Sequence, residues 1–214
     1  MQPVILQLTN IKKVFQRRVI FSGINLSLQD TQVVAVTGRN GSGKSTLLKI
    51  IAGLLSPTMG SVELTIKGKQ ISANERFAYL GFVAPYLQLY DEFTAWENLE
   101  LFCKIRGAHI HETELRDLLE LVGLAQRKHD LVRTFSSGMK QRLKYTFALL
   151  HKPSILILDE PRSNLDAEGI EAVYGILNEY RKQSIVIVAT NDKEDIGYCD
   201  QVLDLNSVSE RGMP

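Results

Sequence analysis

The segment Gly38-Arg39-Asn40-Gly41-Ser42-Gly43-Lys44-Ser45 constrains this chain more than any other. It lies between a short apolar run and an apolar-periodic helix, which is the setting a phosphate cradle requires. The preceding run, Val33-Val34-Ala35-Val36, is apolar throughout, as expected of a strand buried on both faces of a mostly parallel sheet. The following run, Thr46-Leu47-Leu48-Lys49-Ile50-Ile51-Ala52, reads as a helix that stops at Gly53. Strand, glycine loop and helix in this order aim backbone N–H groups and the positive end of the helix at one point. The anion suited to that point is a nucleoside triphosphate, with Lys44 reaching its β and γ oxygens and the Ser45 hydroxyl helping to hold Mg²⁺. Gly38, Arg39, Asn40, Gly41, Ser42, Gly43, Lys44, Ser45 and Thr46 are therefore the predicted nucleotide contacts. The plain alternative, a Gly-rich turn beside an exposed lysine, needs the strand, the spacing and the Lys-Ser pair to coincide by accident.

With 214 residues and 44% hydrophobic content, the chain can bury a substantial core. Its 25 basic and 24 acidic residues leave a formal charge of +1, which gives no electrostatic case for binding nucleic acid or an anionic membrane. No apolar run approaches the roughly 20 residues of a membrane-spanning helix, and the N-terminus lacks the pattern of a secretory signal. The expectation is a cytoplasmic chain with no direct membrane insertion, peripheral on the inner face of the cytoplasmic membrane through a partner. Cys103 and Cys199 have no metal-ligand spacing and read as small buried hydrophobes.

The order of elements predicts an α/β fold. Ile5-Leu6-Gln7-Leu8, Val19-Ile20-Phe21 and Ile24-Asn25-Leu26-Ser27-Leu28 suggest an N-terminal antiparallel layer, and Ser61 to Ile66 a further alternating strand. From Thr94 the period becomes helical, with Trp96, Leu99, Phe102 and Cys103 on one face, then Leu115, Leu118, Leu119 and Val122 on another. Ser154-Ile155-Leu156-Ile157-Leu158 reads as a buried strand, about Asp166 to Gln183 as a helix, and Ser184 to Ala189 as the next strand. Val202-Leu203-Asp204-Leu205 reads as the last strand. The alternation predicts a parallel core interrupted by a helical insertion.

Asp159-Glu160-Pro161 closes the Ile155 strand, so two carboxylates stand at the carboxyl edge of the sheet, where α/β folds hold their ligands. Hydrolysis of a phosphoanhydride needs one acid in the Mg²⁺ shell and another to orient or deprotonate water. Asp159 fits the first role and Glu160 the second; a solvated acidic pair at a strand end is the plain alternative. Upstream, Phe135-Ser136-Ser137-Gly138-Met139-Lys140-Gln141-Arg142 opens a helix whose Met139, Leu143, Phe147 and Leu150 share a face, with Ser136 as its N-cap.

Together, in this order, the phosphate loop, Ser136-Ser137-Gly138 and Asp159-Glu160 resemble the ATP-binding cassette (ABC) family over essentially the whole chain. The resemblance implies a P-loop NTPase core with a mostly parallel sheet, an N-terminal antiparallel β subdomain and an inserted α-helical subdomain at about 88–152 of a single 1–214 nucleotide-binding domain. It implies ATP and Mg as cofactors, and Ser136, Ser137 and Gly138 contacting the γ-phosphate of ATP held by a second copy. It further implies Phe15 stacking on adenine and Asp166 at the dimer interface, although a buried strand-end Phe and a simple Asp N-cap remain open readings.

Two positions depart from the family pattern. Where the family usually has a Gln near Mg²⁺, this chain has Pro85, which has neither a ligating side chain nor an N–H; Gln88 follows three residues later. Where the family places a His against the γ-phosphate, this chain has Asn191, whose amide donates without positive charge. Glu160, Lys44 and Asn191 form the expected catalytic set. The resemblance implies an ATPase subunit of a transporter, paired with a second ATPase subunit and driving a separate membrane-spanning subunit. The short tail and the Ser-Ser-Gly-Met-Lys-Gln-Arg segment are similar to exporters of the drug or haem type. A soluble assembly ATPase and a slowly hydrolysing nucleotide-gated module remain the alternatives.

Overall fold

The computed structural model describes residues 3–107 and 110–209. Strands β1 (Val4–Phe15) and β2 (Arg18–Gln29) form a long antiparallel hairpin, and β3 (Val33–Thr37) leads into the phosphate loop and α1 (Lys44–Ile51). β4 (Met59–Ile66) and β5 (Lys69–Ile71) return to the hairpin, and β6 (Leu80–Val83) enters the second sheet. Then come α2 (Ala95–Arg106), α3 (Glu112–Leu121) and α4 (Ser137–Leu149), with β7 (Ile155–Asp159) after them. The chain continues through α5 (Ala167–Tyr180), β8 (Ile185–Ala189), α6 (Lys193–Gly197), β9 (Gln201–Asp204) and α7 (Leu205–Ser209).

The antiparallel sheet has the order β2-β1-β4-β5 and the parallel sheet the order β6-β7-β8-β3-β9. Period-2 alternation lets the parallel strands serve two cores. Leu156, Leu158, Val186 and Val188 pack towards α2–α5, whereas Ile155, Ile157, Ile185 and Ile187 pack with α1 and the antiparallel sheet. Every residue of β7 and β8 is buried, which explains the uninterrupted apolar runs.

Several boundaries differ from the sequence-based expectation: β1 runs on from Leu8 to Phe15, the last strand ends at Asp204 because Leu205 begins a helix, and two further differences have a visible cause. Val19–Phe21 and Ile24–Leu28 belong to one strand, because the ladder slips between Phe21 opposite Lys13 and Ile24 opposite Ile11, and Gly23 at φ 77 absorbs the irregularity. The helix expected over Asp166 to Gln183 runs from Ala167 to Tyr180, with Asp166 as its N-cap, the Asp166 Oδ1 accepting from Gly169 N–H at 2.9 Å. The helical stretch between β6 and β7 lies where the period change predicted it, with Leu99, Leu115, Leu119 and Leu143 fully or nearly buried in one cluster.

Register sets up the site. Val36 of β3 and Asp159 of β7 both stand opposite Ala189 of β8, so the carboxyl ends of these strands are level. The loops leaving them carry Gly38 to Ser45, Glu160 and Asn191 to a single sheet edge.

Candidate functional site

Gly43 is the N-cap of α1 at φ 101, and a Cβ there would come within 2.5 Å of the Ile20 Cγ2 and 2.9 Å of the Phe21 ring. Only glycine lets the hairpin close over the loop in this backbone conformation. The first N–H groups of α1 have no intrahelical partner and face the cleft with the positive end of the helix dipole. That cleft, about 340 Å³, is lined by Phe15, Arg39, Asn40, Gly41, Gly43, Lys44, Ser45, Thr46 and Glu160, with Ile20. Of the sequence-predicted loop contacts, all but Gly38 and Ser42 line this cleft together with the aromatic at 15, and Phe15 keeps a half-exposed ring with the Lys13 ammonium 4.8 Å from its centre.

Lys44 is buried and its Nζ donates to the Gly38 carbonyl at 2.9 Å, with Glu160 Oε1 at 3.5 Å. Glu160 adopts φ 51, in the left-handed region unfavourable for a residue that carries a Cβ, and its N–H donates to Ala189 O at 2.9 Å. Strain of this kind is kept where surrounding structure requires a particular aim. Asp159 is buried, and that burial pushes its carboxyl up from the ordinary range, against a hydrogen bond from Ser45 and the charges of Lys44 and Lys49. Its Oδ1 has no hydrogen-bond partner, nor has the buried Ser42 Oγ. The orphaned Asp159 oxygen beside the Ser45 hydroxyl is the donor set of a hard divalent cation, which would also reverse the upward shift of the carboxyl.

Asn191 Oδ1 accepts from Gly38 N–H at 3.2 Å, so Asn191 braces the start of the phosphate loop and has its NH₂ group left for a ligand. Ser136 caps α4, accepting from Met139 N–H at 3.2 Å. Gly138 sits against the stretch carrying Asp166: a Cβ there would lie 3.3 Å from Asn164 O. Ser136, Ser137 and Gly138 do not line the cleft of their own chain. Gln88 does not line it either; it is exposed and borders a groove of about 580 Å³ together with Leu54, Phe77, Tyr86, Leu87, Phe102 and Phe147.

A protein-family model described as ABC transporter matches residues 21–163. The chain belongs to the ABC transporter family. It is 33% identical over 204 residues to the uncharacterized ABC transporter ATP-binding protein YybJ of Bacillus subtilis, covering 94% of this chain and 92% of that one. Identity is also 33% over 186 residues with the lantibiotic transport ATP-binding protein SrtF of Streptococcus pyogenes, covering 87% and 79%. The ATP-binding cassette MJ0796, solved as a dimer in a post-hydrolysis state bound to ADP and Pi, matches with TM-score 0.79 and 25% identity over 93% of each chain. This cassette is thus an ABC ATPase subunit with the P-loop fold.

Tyr86 borders the groove while its phenol is raised by burial and then by the charge of Asp159, and the Lys49 ammonium stands 4.5 Å from its ring centre. Arg162 was not legible as a site residue. Arg162 follows Glu160-Pro161 directly, and that adjacency was the available signal; its ion-pair partners are 30 and 32 residues away, at Asp192 and Glu194. No helix among the described residues is long and apolar enough to cross a membrane.

Proposed function

We propose that two copies of this cassette close around two ATP molecules, hydrolyse them, and use the cycle to drive a separate membrane-spanning transporter subunit. The observation that carries this is the convergence of Lys44, Glu160 and the orphaned Asp159 oxygen at one end of a glycine loop. Phosphate-loop amides and Lys44 hold the β and γ oxygens, and the partner copy's Ser136-Ser137-Gly138 completes the enclosure from the far side. Phe15 offers a π-face to the base. Ser45 and Asp159 are the residues that would hold Mg²⁺, whose charge, when bound, offsets that of the phosphates. Glu160 orients and deprotonates the attacking water, and the Asn191 amide donates to the γ-phosphate. Residues 1–214 act as a single nucleotide-binding domain with the helical subdomain at about 88–152. It sits at the cytoplasmic face of the membrane through its partner, with no nucleic acid involved. Its similarity to proteins named for lantibiotic transport and linearmycin resistance supports an exporter.

Glu160→Gln keeps the shape of the side chain and removes the base. Phosphate release by that variant is expected to fall by about 10²-fold or more, while ATP binding persists and an ATP-bound dimer accumulates on size exclusion. Turnover near that of the parent chain would reject Glu160 as the base. Affinity purification from gently solubilised membranes is expected to recover a polytopic membrane protein in stoichiometric amount; soluble partners alone would move the reading to an assembly ATPase.

A further inference from the structure

The sheet edge carries a cation that the phosphate chemistry leaves unused. Arg162 Nη1 lies 2.8 Å from Asp192 Oδ1 and 2.7 Å from Glu194 Oε2, and its guanidinium carbon is 5.7 Å from the Tyr174 ring centre. Its side chain is only 21% exposed, whereas those of Asp192 and Glu194 are 44% and 71% exposed. Glu194 lies in the first turn of α6, and Asp192, which caps that helix, belongs to the turn after β8 that bears Asn191. The same turn is held from inside by buried Asp195, whose Oδ2 accepts from Thr190 Oγ1 at 2.7 Å and whose Oδ1 accepts from Tyr174 OH at 2.9 Å. Thr190 Oγ1 in turn accepts from Asp192 N–H at 3.0 Å.

These contacts make a continuous chain across the edge. Glu160 and Arg162 share one short segment; Arg162 grips Asp192; Asn191, the next residue, holds the Gly38 N–H; and the Gly38 carbonyl holds Lys44. We infer that Arg162 is a positioning residue for hydrolysis, fixing Asn191 against the phosphate loop and holding that loop in register with Glu160. This rests on the assignment of Glu160 and Asn191 proposed above. Partly exposed ion pairs contribute little to global stability, so the effect of Arg162 falls on geometry at the site. A misplacement of about 1 Å there costs up to about 10²-fold in rate.

The test uses the full chain, with steady-state phosphate release, ADP affinity by calorimetry and thermal melting. Arg162→Ala is expected to lower kcat by about tenfold or more at unchanged ADP affinity and melting temperature, a split that a merely structural role does not give. Arg162→Lys, able to reach one carboxylate as a point charge, recovers part of the rate. Asp192→Asn keeps an oxygen for the Glu194 N–H it caps but loses the charge, and reproduces the defect. The double variant Arg162→Ala, Asp192→Asn is no slower than either single one, since both break the same contact. Unchanged kcat in Arg162→Ala, a parallel loss of ADP affinity or melting temperature, or multiplicative effects in the double variant would each overturn the inference. Glu160→Gln run alongside separates the two readings: retained turnover there rejects the site assignment and the clamp together, whereas abolished turnover with a normal Arg162→Ala rejects the clamp alone.

Discussion

Asn191 shows how one side chain can divide its capacity. Its Oδ1 is taken by the Gly38 N–H, so the NH₂ group is what it has left to offer a ligand, and that group is neutral. A neutral imidazole in the same place could accept from Gly38 at one nitrogen and donate at the other, and its protonated form gives up the Gly38 contact in exchange for charge towards a developing anion. Asn191→His is therefore expected to raise turnover by about two- to tenfold, and Asn191→Ala, which loses both the brace and the donor, to lower it by about tenfold. Phosphate release measured at saturating ATP on folded, nucleotide-binding variants decides the matter; an Asn191→His rate at or below that of the parent would count against the charge argument. At this scale the sequence was informative where function is contiguous. Gly38 to Thr46 could be read directly because loop, lysine and hydroxyl adjoin in the chain. Arg162 could not, since it acquires its meaning from Asp192 and Glu194, residues the fold brings in from a distance.

Among the elements, α4 ties the helical stretch to the catalytic edge. Tyr145, fully buried, donates its OH to Pro161 O at 2.9 Å, and burial lifts the phenol so that it stays a neutral donor. Arg142 donates to Val122 O at 3.1 Å and pairs with Glu168 at 3.2 Å, joining the end of α3 to α5. The period of α4 was legible because Leu143, Phe147 and Leu150 repeat at helical spacing and are buried. The continuity of β2 was not, because the slip at Gly23 breaks the alternation that marks a strand. His151, two residues past α4, closes this layer: Nε2 donates to Leu80 O at 3.0 Å while Nδ1 faces the Arg106 guanidinium. Burial, then the charge of Arg106, lowers its pKa to about 4 from the model-peptide value of 6.5. The folded state thus binds fewer protons at this group than the unfolded chain, and its contribution is present above pH 6.5 and lost as the pH falls towards 4. His151→Gln, with an amide in place of Nε2–H, is expected to flatten the fall in melting temperature between pH 7 and about pH 4.5. An identical pH profile in both proteins would show that His151 titrates without its neighbours opposing it.

At the scale of the whole molecule, Tyr86 connects the apolar groove to the carboxylate at the end of β7. One side of this residue faces the groove, and its phenol feels the charge of Asp159 at the end of β7. Leu54, Phe77 and Tyr86 leave 65%, 59% and 52% of their surface exposed around that groove, and Arg106 borders it while donating to Phe77 O at 2.7 Å. A cluster of exposed apolar and aromatic side chains around a concave surface is suited to an amphipathic helix laid into it. With the membrane-spanning subunit proposed above as partner, such a helix from it is the occupant that would turn nucleotide cycling into transport. An occupant pressing on Tyr86 would be felt beside Asp159, so docking and hydrolysis would share one residue. Phe77→Glu places a charge on the apolar rim, far from the phosphate loop in sequence, and is expected to weaken association with the membrane subunit by roughly 30-fold or more, the effect of losing an aromatic contact of about 2 kcal/mol. Partner-stimulated phosphate release should fall with it. Stoichiometric recovery of the membrane subunit by Phe77→Glu, with full stimulation, would move the docking surface elsewhere on the cassette and leave Tyr86 as a local neighbour of Asp159 with no signal to carry.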